Sequence, residues 1–262
     1  GYALASLHGV ELALDISGFE SYKLHKFGLD KLQISARILP VGQENRSQVV
    51  QRIVRRFARW IGRSECDYTE RSLRFDPAFF ELNGDAKVEG YFQSQKYFQR
   101  FAPELRREFM PRKSLRPEHK PLIDQMGERE SVMLHIRRGD YVSNAHTLKV
   151  HGICTMDYYR NAMTLLESKL ANKPQYFVFS NDMQWVKDHL PMAQGTVFVQ
   201  GNENAPELEL QIMSSCRHHV IANSSFSWWA AWLGQHDGQI VVAPKPWFDS
   251  NENDSTDLIP SG

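Results

Sequence analysis

Three cysteines in 262 residues, Cys66, Cys154 and Cys216, lie far apart and form no C-x-x-C pair. Such a set provides neither a disulfide framework nor a zinc site, and it fits a reducing compartment best. No run approaches the roughly 18 apolar residues of a membrane span. No signal peptide is visible, although the chain opens at Gly1-Tyr2-Ala3 without Met and already in a helical pattern, so further sequence upstream is expected. An excess of one charge is missing too. The 31 Lys and Arg balance 31 Asp and Glu, which argues against a nucleic-acid partner. No G-x-G-x-x-G follows a strand, which disfavours a standard dinucleotide fold, and no G-x-x-x-x-G-K-[ST] occurs, which excludes a P-loop kinase. There is no G-x-S-x-G elbow and no D-x-D triplet.

What is present reads as a globular α/β protein, 42% hydrophobic and 24% charged, long enough for two modest domains. Tyr2 to His8 is a helix stopped by Gly9, and Val10 to Ile16 alternates as a strand. From Val49 to Ile61 an apolar stripe, with Val50, Ile53, Val54, Phe57 and Ile61, opposes Arg52, Arg55, Arg56, Arg59 and Arg63. A helix of this kind packs on its own domain or lies on an anionic membrane surface. Lys87 to Phe92 reads as a strand leading into Gln93, Ser94 and a helix, and Ala102 to Met110 as a further helix. The basic stretch spaced by Pro111, Pro117 and Pro121 is the candidate linker. Residues 1–120 are thus expected as a first domain, 121–245 as a second, and 246–262 as a tail that can return to the first.

From Ser131 onward strands and helices alternate, the mark of a parallel sheet covered on both faces. Strands are expected at Val132–Ile136, Gln175–Phe179, Thr196–Gln200, His219–Ala222 and Gln239–Ala243. Helices are expected from Thr155 to about Leu170, at Met183–Leu190, at Glu207–Cys216 and from about Ser225. The chain is organised around Val132-Met133-Leu134-His135-Ile136-Arg137-Arg138-Gly139-Asp140-Tyr141. A buried parallel strand delivers His135, Arg137, Arg138 and Asp140 at its carboxyl end, where open α/β sheets bind ligands. Two guanidiniums there suit phosphate, and a carboxylate can accept a proton. The plainer readings are a strand ending in surface charge, or an adhesion tripeptide at Arg138-Gly139-Asp140.

A second junction, Ala222-Asn223-Ser224-Ser225-Phe226, ends a strand and opens a helix. The free amides of that helix start make a phosphate site, or Ser serves as an ordinary N-cap. Without D-x-D, a nucleotide-sugar enzyme would neutralise its diphosphate with arginines and a helix terminus in place of a metal. His146, His151, His218 and His219 show no ligand spacing, so no metal site is expected.

His135-Ile136-Arg137-Arg138-Gly139-Asp140-Tyr141 resembles the first motif of the α-1,2-fucosyltransferases, glycosyltransferase family 11. Phe177-Val178-Phe179-Ser180-Asn181-Asp182 with Trp185-Val186-Lys187 is similar to the second motif. Met213 to His219, continued by Ile221 to Leu233, is similar to the third in its bacterial form. Gly90-Tyr91-Phe92-Gln93-Ser94 with Lys96-Tyr97-Phe98, and His151-Gly152 before Asp157-Tyr158-Tyr159, fit bacterial members, and the resemblance runs from about Tyr2 to Trp247.

The resemblance implies a GT-B fold, two Rossmann-like domains facing across a cleft. It implies inverting, metal-independent transfer of L-fucose from GDP-fucose to the 2-hydroxyl of a galactose in an oligosaccharide or lipid-linked glycan. No cofactor is implied beyond the donor. Arg137 and Arg138 would clamp the diphosphate. Asp140, which follows the clamp and carries the right charge, is read from its position as the base; beside this stand a structural partner for a nearby arginine and a reaction that needs no strong base. His135, Asp182, Glu209, Asn223, Ser224, Ser225 and Phe226 would complete the donor site. Gln93, Ser94, Tyr141 and Trp229 are acceptor candidates. The implied setting is the bacterial cytoplasm, with O-antigen synthesis as the role and a peripheral contact to the inner membrane as an option. One family feature, a Gly-Gly-Leu-Gly-Asn-Gln type loop before the first helix, does not occur in this sequence. Two other readings stand beside this one: a fucosyltransferase of different linkage, and a non-catalytic GDP-sugar-binding module.

Overall fold

The computed structural model describes residues 1–20, 26–39, 67–139, 152–202, 204–249 and 254–260. The basic amphipathic stretch at 49–61, Cys66, Asp140, Tyr141, His146 and His151 lie outside the described residues. The chain divides into two compact units, Gly1–Phe109 with Thr256–Gly262, and Met110–Ser255.

In the first unit, helix α1 (Tyr2–His8) is closed by Gly9 and buries Ala3, Leu4 and Ala5. Two short parallel pairs follow: β1 (Ala13–Leu14) with β2 (Arg37–Ile38), and β3 (Tyr68–Thr69) with β4 (Val88–Glu89). Helix α2 spans Ala102–Glu108. The core is aromatic. Phe79, 1% exposed, has Tyr68, Phe92 and Tyr97 rings within 5.5 Å of its own. Edge-on contacts dominate, the geometry that ring quadrupoles favour. The C-terminal segment is fastened here, where Asp257 accepts from the Phe75 N–H at 3.0 Å and pairs with Lys96.

The strand expected over Lys87–Phe92 shrinks to Val88–Glu89. Beyond it the amides of Tyr91 and Phe92 donate to the Glu70 carboxylate instead of to a ladder, and Phe92 adopts φ 46°.

The second unit begins with the proline-spaced stretch read above as a linker. It forms a 3-10 turn at Pro117–His119 and runs directly into helix α3 (Lys120–Glu128), with Pro121 in its first turn, where a missing amide costs nothing. Strand β5 (Ser131–Ile136) follows, then α4 (Met156–Lys169), β6 (Gln175–Ser180), α5 (Met183–His189), β7 (Val197–Phe198), α6 (Pro206–Ser214), β8 (His218–Val220), α7 (Ser225–Leu233) and β9 (Val241–Val242). Thr155 caps α4, its hydroxyl accepting from the Tyr158 N–H at 3.2 Å.

All five strands are parallel, in the order β7-β6-β5-β8-β9. Counted from β5 this is 3-2-1-4-5, the doubly wound order, and its direction of growth reverses between β5 and β8. Every residue of β5 is buried. Alternate residues Val132, Leu134 and Ile136 pack with Tyr159, Leu166 and Val186, while Met133 and His135 face the other side. Full burial of each such aliphatic side chain stabilises by roughly 1.5–3 kcal/mol, so β5 is an anchored support for whatever follows it.

Candidate active site

Two chain segments leave the sheet at the reversal point, Arg137-Arg138-Gly139 after β5 and Ile221 to Ser224 after β8. Crevices form at such points because the connecting helices depart to opposite faces.

His135, the penultimate residue of β5, is 4% exposed, and its Nδ1 finds no hydrogen-bond partner among the described residues. Burial, and secondarily the charge of Arg137, push its pKa down to about 3, so the ring is neutral at physiological pH. It lies 6.3 Å from the Phe226 ring in the first turn of α7, bridging the two sides of the reversal point. Arg137 follows, half-buried.

Arg138 turns toward the β6 side. Its guanidinium carbon lies 3.5 Å from the centre of the Trp185 ring, and its Nε is 3.7 Å from Asp182 Oδ2. Asp182 is the N-cap of α5, its Oδ1 accepting from the Trp185 N–H at 3.4 Å. Asn181 Oδ1 accepts from the backbone N–H groups of both Arg138 and Gly139, at 3.0 and 3.1 Å. A Cβ on Gly139 would come within 2.6 Å of the Asn181 amide nitrogen, so a larger residue would displace this brace.

At the end of β8, Asn223 is buried and its amide is engaged by the segment before α4. Cys154 S–H donates to Oδ1 and Nδ2 donates to Gly152 O, both at 3.5 Å. Asn223 therefore fixes that segment. Ser224 is the N-cap of α7, but its hydroxyl makes no capping bond. Ser227 Oγ turns back to Ala222 O and Ser224 O at 3.4 and 3.2 Å. The amides of exposed Ser225, of Phe226 and of Ser227 thus open a nine-residue helix with no side-chain cap, and a helix start carries about half a positive charge.

The remaining candidates are less uniform. Glu209 is half-buried in the first turn of α6 beside Glu207. Trp229 is half-buried, edge-on to Trp228 and Trp232. In the first unit Gln93 is half-buried, but Ser94 is 0% exposed and its hydroxyl accepts from the Lys96 N–H. Ser94 caps a turn and has no surface for an acceptor, which corrects the expectation placed on it.

Sequence reasoning did not single out Asn181 or Trp185 as site residues. Their signal lay four residues apart around the α5 cap, Asn181 beside Asp182 and Trp185 one turn on. Among the described residues no three His, Cys, Asp or Glu side chains gather as a metal site would require, and no helix is long and apolar enough to cross a membrane.

Fold and site together define a doubly wound α/β protein with two arginines after one strand and an uncapped helix start after its neighbour, residue types suited to a phosphorylated ligand. Comparison with known proteins narrows this class. The family model for glycosyl transferase family 11 matches residues 78–258. An α-1,2-colitosyltransferase of Escherichia coli is 35% identical over 99% of this chain and 90% of its own. The chain belongs to glycosyltransferase family 11. The O-antigen biosynthesis glycosyltransferase WbnK of Escherichia coli is 39% identical over 45% of this chain and 39% of its own. Human galactoside alpha-(1,2)-fucosyltransferase 1 is 29% identical over 58% and 44%. Among solved structures, apo POFUT1 is similar at 12% identity and TM-score 0.43, covering 92% of this chain and 90% of that one; so distant a likeness adds nothing to the argument.

Proposed function

We propose that the protein transfers L-fucose from GDP-fucose to the 2-hydroxyl of a galactose in a glycan acceptor, with inversion and without a metal. The observation that carries this reading is the reversal point itself. There Arg137 follows β5 and the uncapped N-terminus of α7 follows the neighbouring strand β8, beside a histidine held neutral. As the sugar–oxygen bond lengthens, charge grows on the β-phosphate. Donors fixed in advance stabilise that charge more than they stabilise the bound ground state.

Arg137 is assigned to the β-phosphate and the amides of Ser225 to Ser227 to the rest of the diphosphate, with Phe226 beside them. Neutral His135, whose Nδ1 has no partner among the described residues, is suited to hydrogen-bond guanine or ribose, and Glu209 to the same end of the nucleotide. Arg138 contributes through its remaining N–H groups and by holding the site's β6 wall with Trp185 and Asp182. Asp140 is assigned as the base that takes the acceptor proton while the hydroxyl attacks from the face opposite GDP.

A second reading changes the donor sugar only. A relative aligned over 99% of this chain is a colitosyltransferase, and colitose differs from fucose by one missing hydroxyl. Incubation with GDP-fucose and a panel of galactosides, followed by linkage analysis, tests both readings. The proposal expects a Fuc-α-1,2-Gal product formed equally with and without a chelator. Transfer only from GDP-colitose would favour the second reading, and a chelator-sensitive reaction would contradict the metal-free clamp.

A further inference from the structure

In the first unit β3 and β4 run parallel, Tyr68 opposite Val88 and Thr69 opposite Glu89. Glu70 follows β3 directly and Tyr91 lies two residues past β4. Both therefore sit beyond the carboxyl ends of parallel neighbours, the edge at which α/β sheets receive ligands.

The segment that presents Tyr91 is held from several directions. The Glu70 N–H donates to Glu89 O at 2.8 Å, and Glu70 Oε2 accepts from the Tyr91 and Phe92 amides at 2.7 and 3.0 Å. Gly90 admits no side chain, since a Cβ there would stand 2.4 Å from Glu70 Cβ. Phe92 takes φ 46°, a region non-glycine residues seldom occupy, with its ring locked against Phe79 and Tyr97 at 5.1 and 5.2 Å. Glu70 Oε1 is buried with no hydrogen-bond partner among the described residues. Left-handed backbone and an unmatched buried oxygen are both unfavourable, and such features concentrate at functional sites.

None of this buries Tyr91. It is 80% exposed, whereas the other exposed large apolar residues described lie between 38% and 43%. Exposed Glu89 and Gly90 precede it in the chain, so the ring is not part of the contiguous apolar patch of a protein-docking surface. A single exposed ring near a charged residue matches a pyranose, which has one apolar C–H face and a border of hydroxyls. Tyrosine has only two side-chain torsions to freeze on contact, so little freedom is lost.

We propose that Tyr91 is an acceptor-binding residue on which a pyranose of the glycan acceptor stacks, with Glu70 and Gly90 positioning it. This rests on the glycan-transfer reading above, and the test separates the two. Binding of lactose and of methyl β-D-galactopyranoside to the full chain, saturated with GDP, is followed by saturation-transfer NMR without turnover. Acceptor KM is measured alongside. Tyr91→Ala is expected to weaken glycoside binding and raise acceptor KM by about tenfold. Tyr91→Phe should restore both, and GDP affinity should be unchanged in each variant.

If wild type transfers sugar but Tyr91→Ala binds lactose normally, the assignment of Tyr91 falls and the reaction stands. If wild type binds lactose through Tyr91 yet transfers nothing, the reaction reading falls and the assignment stands. Loss of GDP affinity in Tyr91→Ala would give the ring to the nucleotide and overturn the proposal. Absence of both lactose binding and transfer in wild type would overturn both.

Discussion

The guanidinium carbon of Arg138 lies over Trp185, 3.5 Å from the ring centre, while its Nε is 3.7 Å from Asp182 Oδ2. Trp185 is in turn stacked on His189, rings 4.6 Å apart and 11° from parallel. Adjacent arginines thus have different surroundings, Arg137 beside His135 and Arg138 against the first turn of α5. Removing the aromatic partner should loosen Arg138 without unfolding the sheet. A cation–π contact is worth roughly 0.5–2 kcal/mol, so Trp185→Leu should lower kcat/KM by about tenfold. Steady-state kinetics with a matching thermal midpoint checks this; a variant as active as wild type would remove Trp185 from the site.

Asn181 and Gly139 form the second brace. One carbonyl oxygen receives two backbone amides, and Gly139 leaves it room. Asn181→Ala leaves both amides without that acceptor. At about 1 kcal/mol for each hydrogen bond, the variant should lose about 2 kcal/mol of stability and bind donor more weakly. Gly139→Ala should shift donor KM in the same direction. Urea denaturation and donor KM report the two effects separately.

The pH dependence of stability follows from two buried histidines. Burial pushes His135 and His219 each down to about 3, against about 6.5 in an unfolded chain. His219 donates from Nε2 to Met213 O at 3.2 Å, and its Nδ1 accepts from Gln239 at 3.0 Å, so neither nitrogen has room for another proton. Between those values the unfolded chain takes up protons that the folded chain refuses. Stability is therefore full above about pH 6.5 and falls toward pH 3, by about 1.4 kcal/mol per pH unit for each histidine. Urea midpoints at pH 7 and pH 5 should differ accordingly, and His219→Asn should flatten the slope.

Much of the second unit was legible because its signals are local. The apolar run of β5, the Thr155 cap and the Ser-rich start of α7 are each written within a few consecutive residues. The strand order could be anticipated only as parallel, since pairing partners such as Met133 and His219 are distant in the chain. Side-chain partners were less visible still. Arg138 engages Trp185, 47 positions away, and Ser94 is buried in a segment whose neighbours Phe92 and Tyr97 belong to an aromatic core spread from Tyr68 to Phe98. In the first unit the strands are two residues long. A period-2 pattern needs four or more positions to declare itself, so the longer strands expected at Val10–Ile16 and Lys87–Phe92 exceeded what forms.

Division of labour between the clamp and the base gives a further prediction. Arg137→Ala should lower turnover by about 100–1,000-fold, the usual cost of losing one donor to developing charge. Asp140→Asn should reduce kcat while leaving donor KM near wild type, if the carboxylate acts on the acceptor proton alone. Near-normal turnover in Asp140→Asn with an inactive Arg137→Ala would remove the base assignment and keep the clamp.

The central claim is that guanidinium and helix amides, in place of a divalent cation, hold the leaving diphosphate. A crystal structure of the protein with GDP, grown with a chelator present, tests it most directly. The account predicts the β-phosphate within hydrogen-bonding distance of Arg137 and of the Ser225 to Ser227 amides. A diphosphate lodged elsewhere, or no GDP bound until a divalent cation is restored, would contradict it.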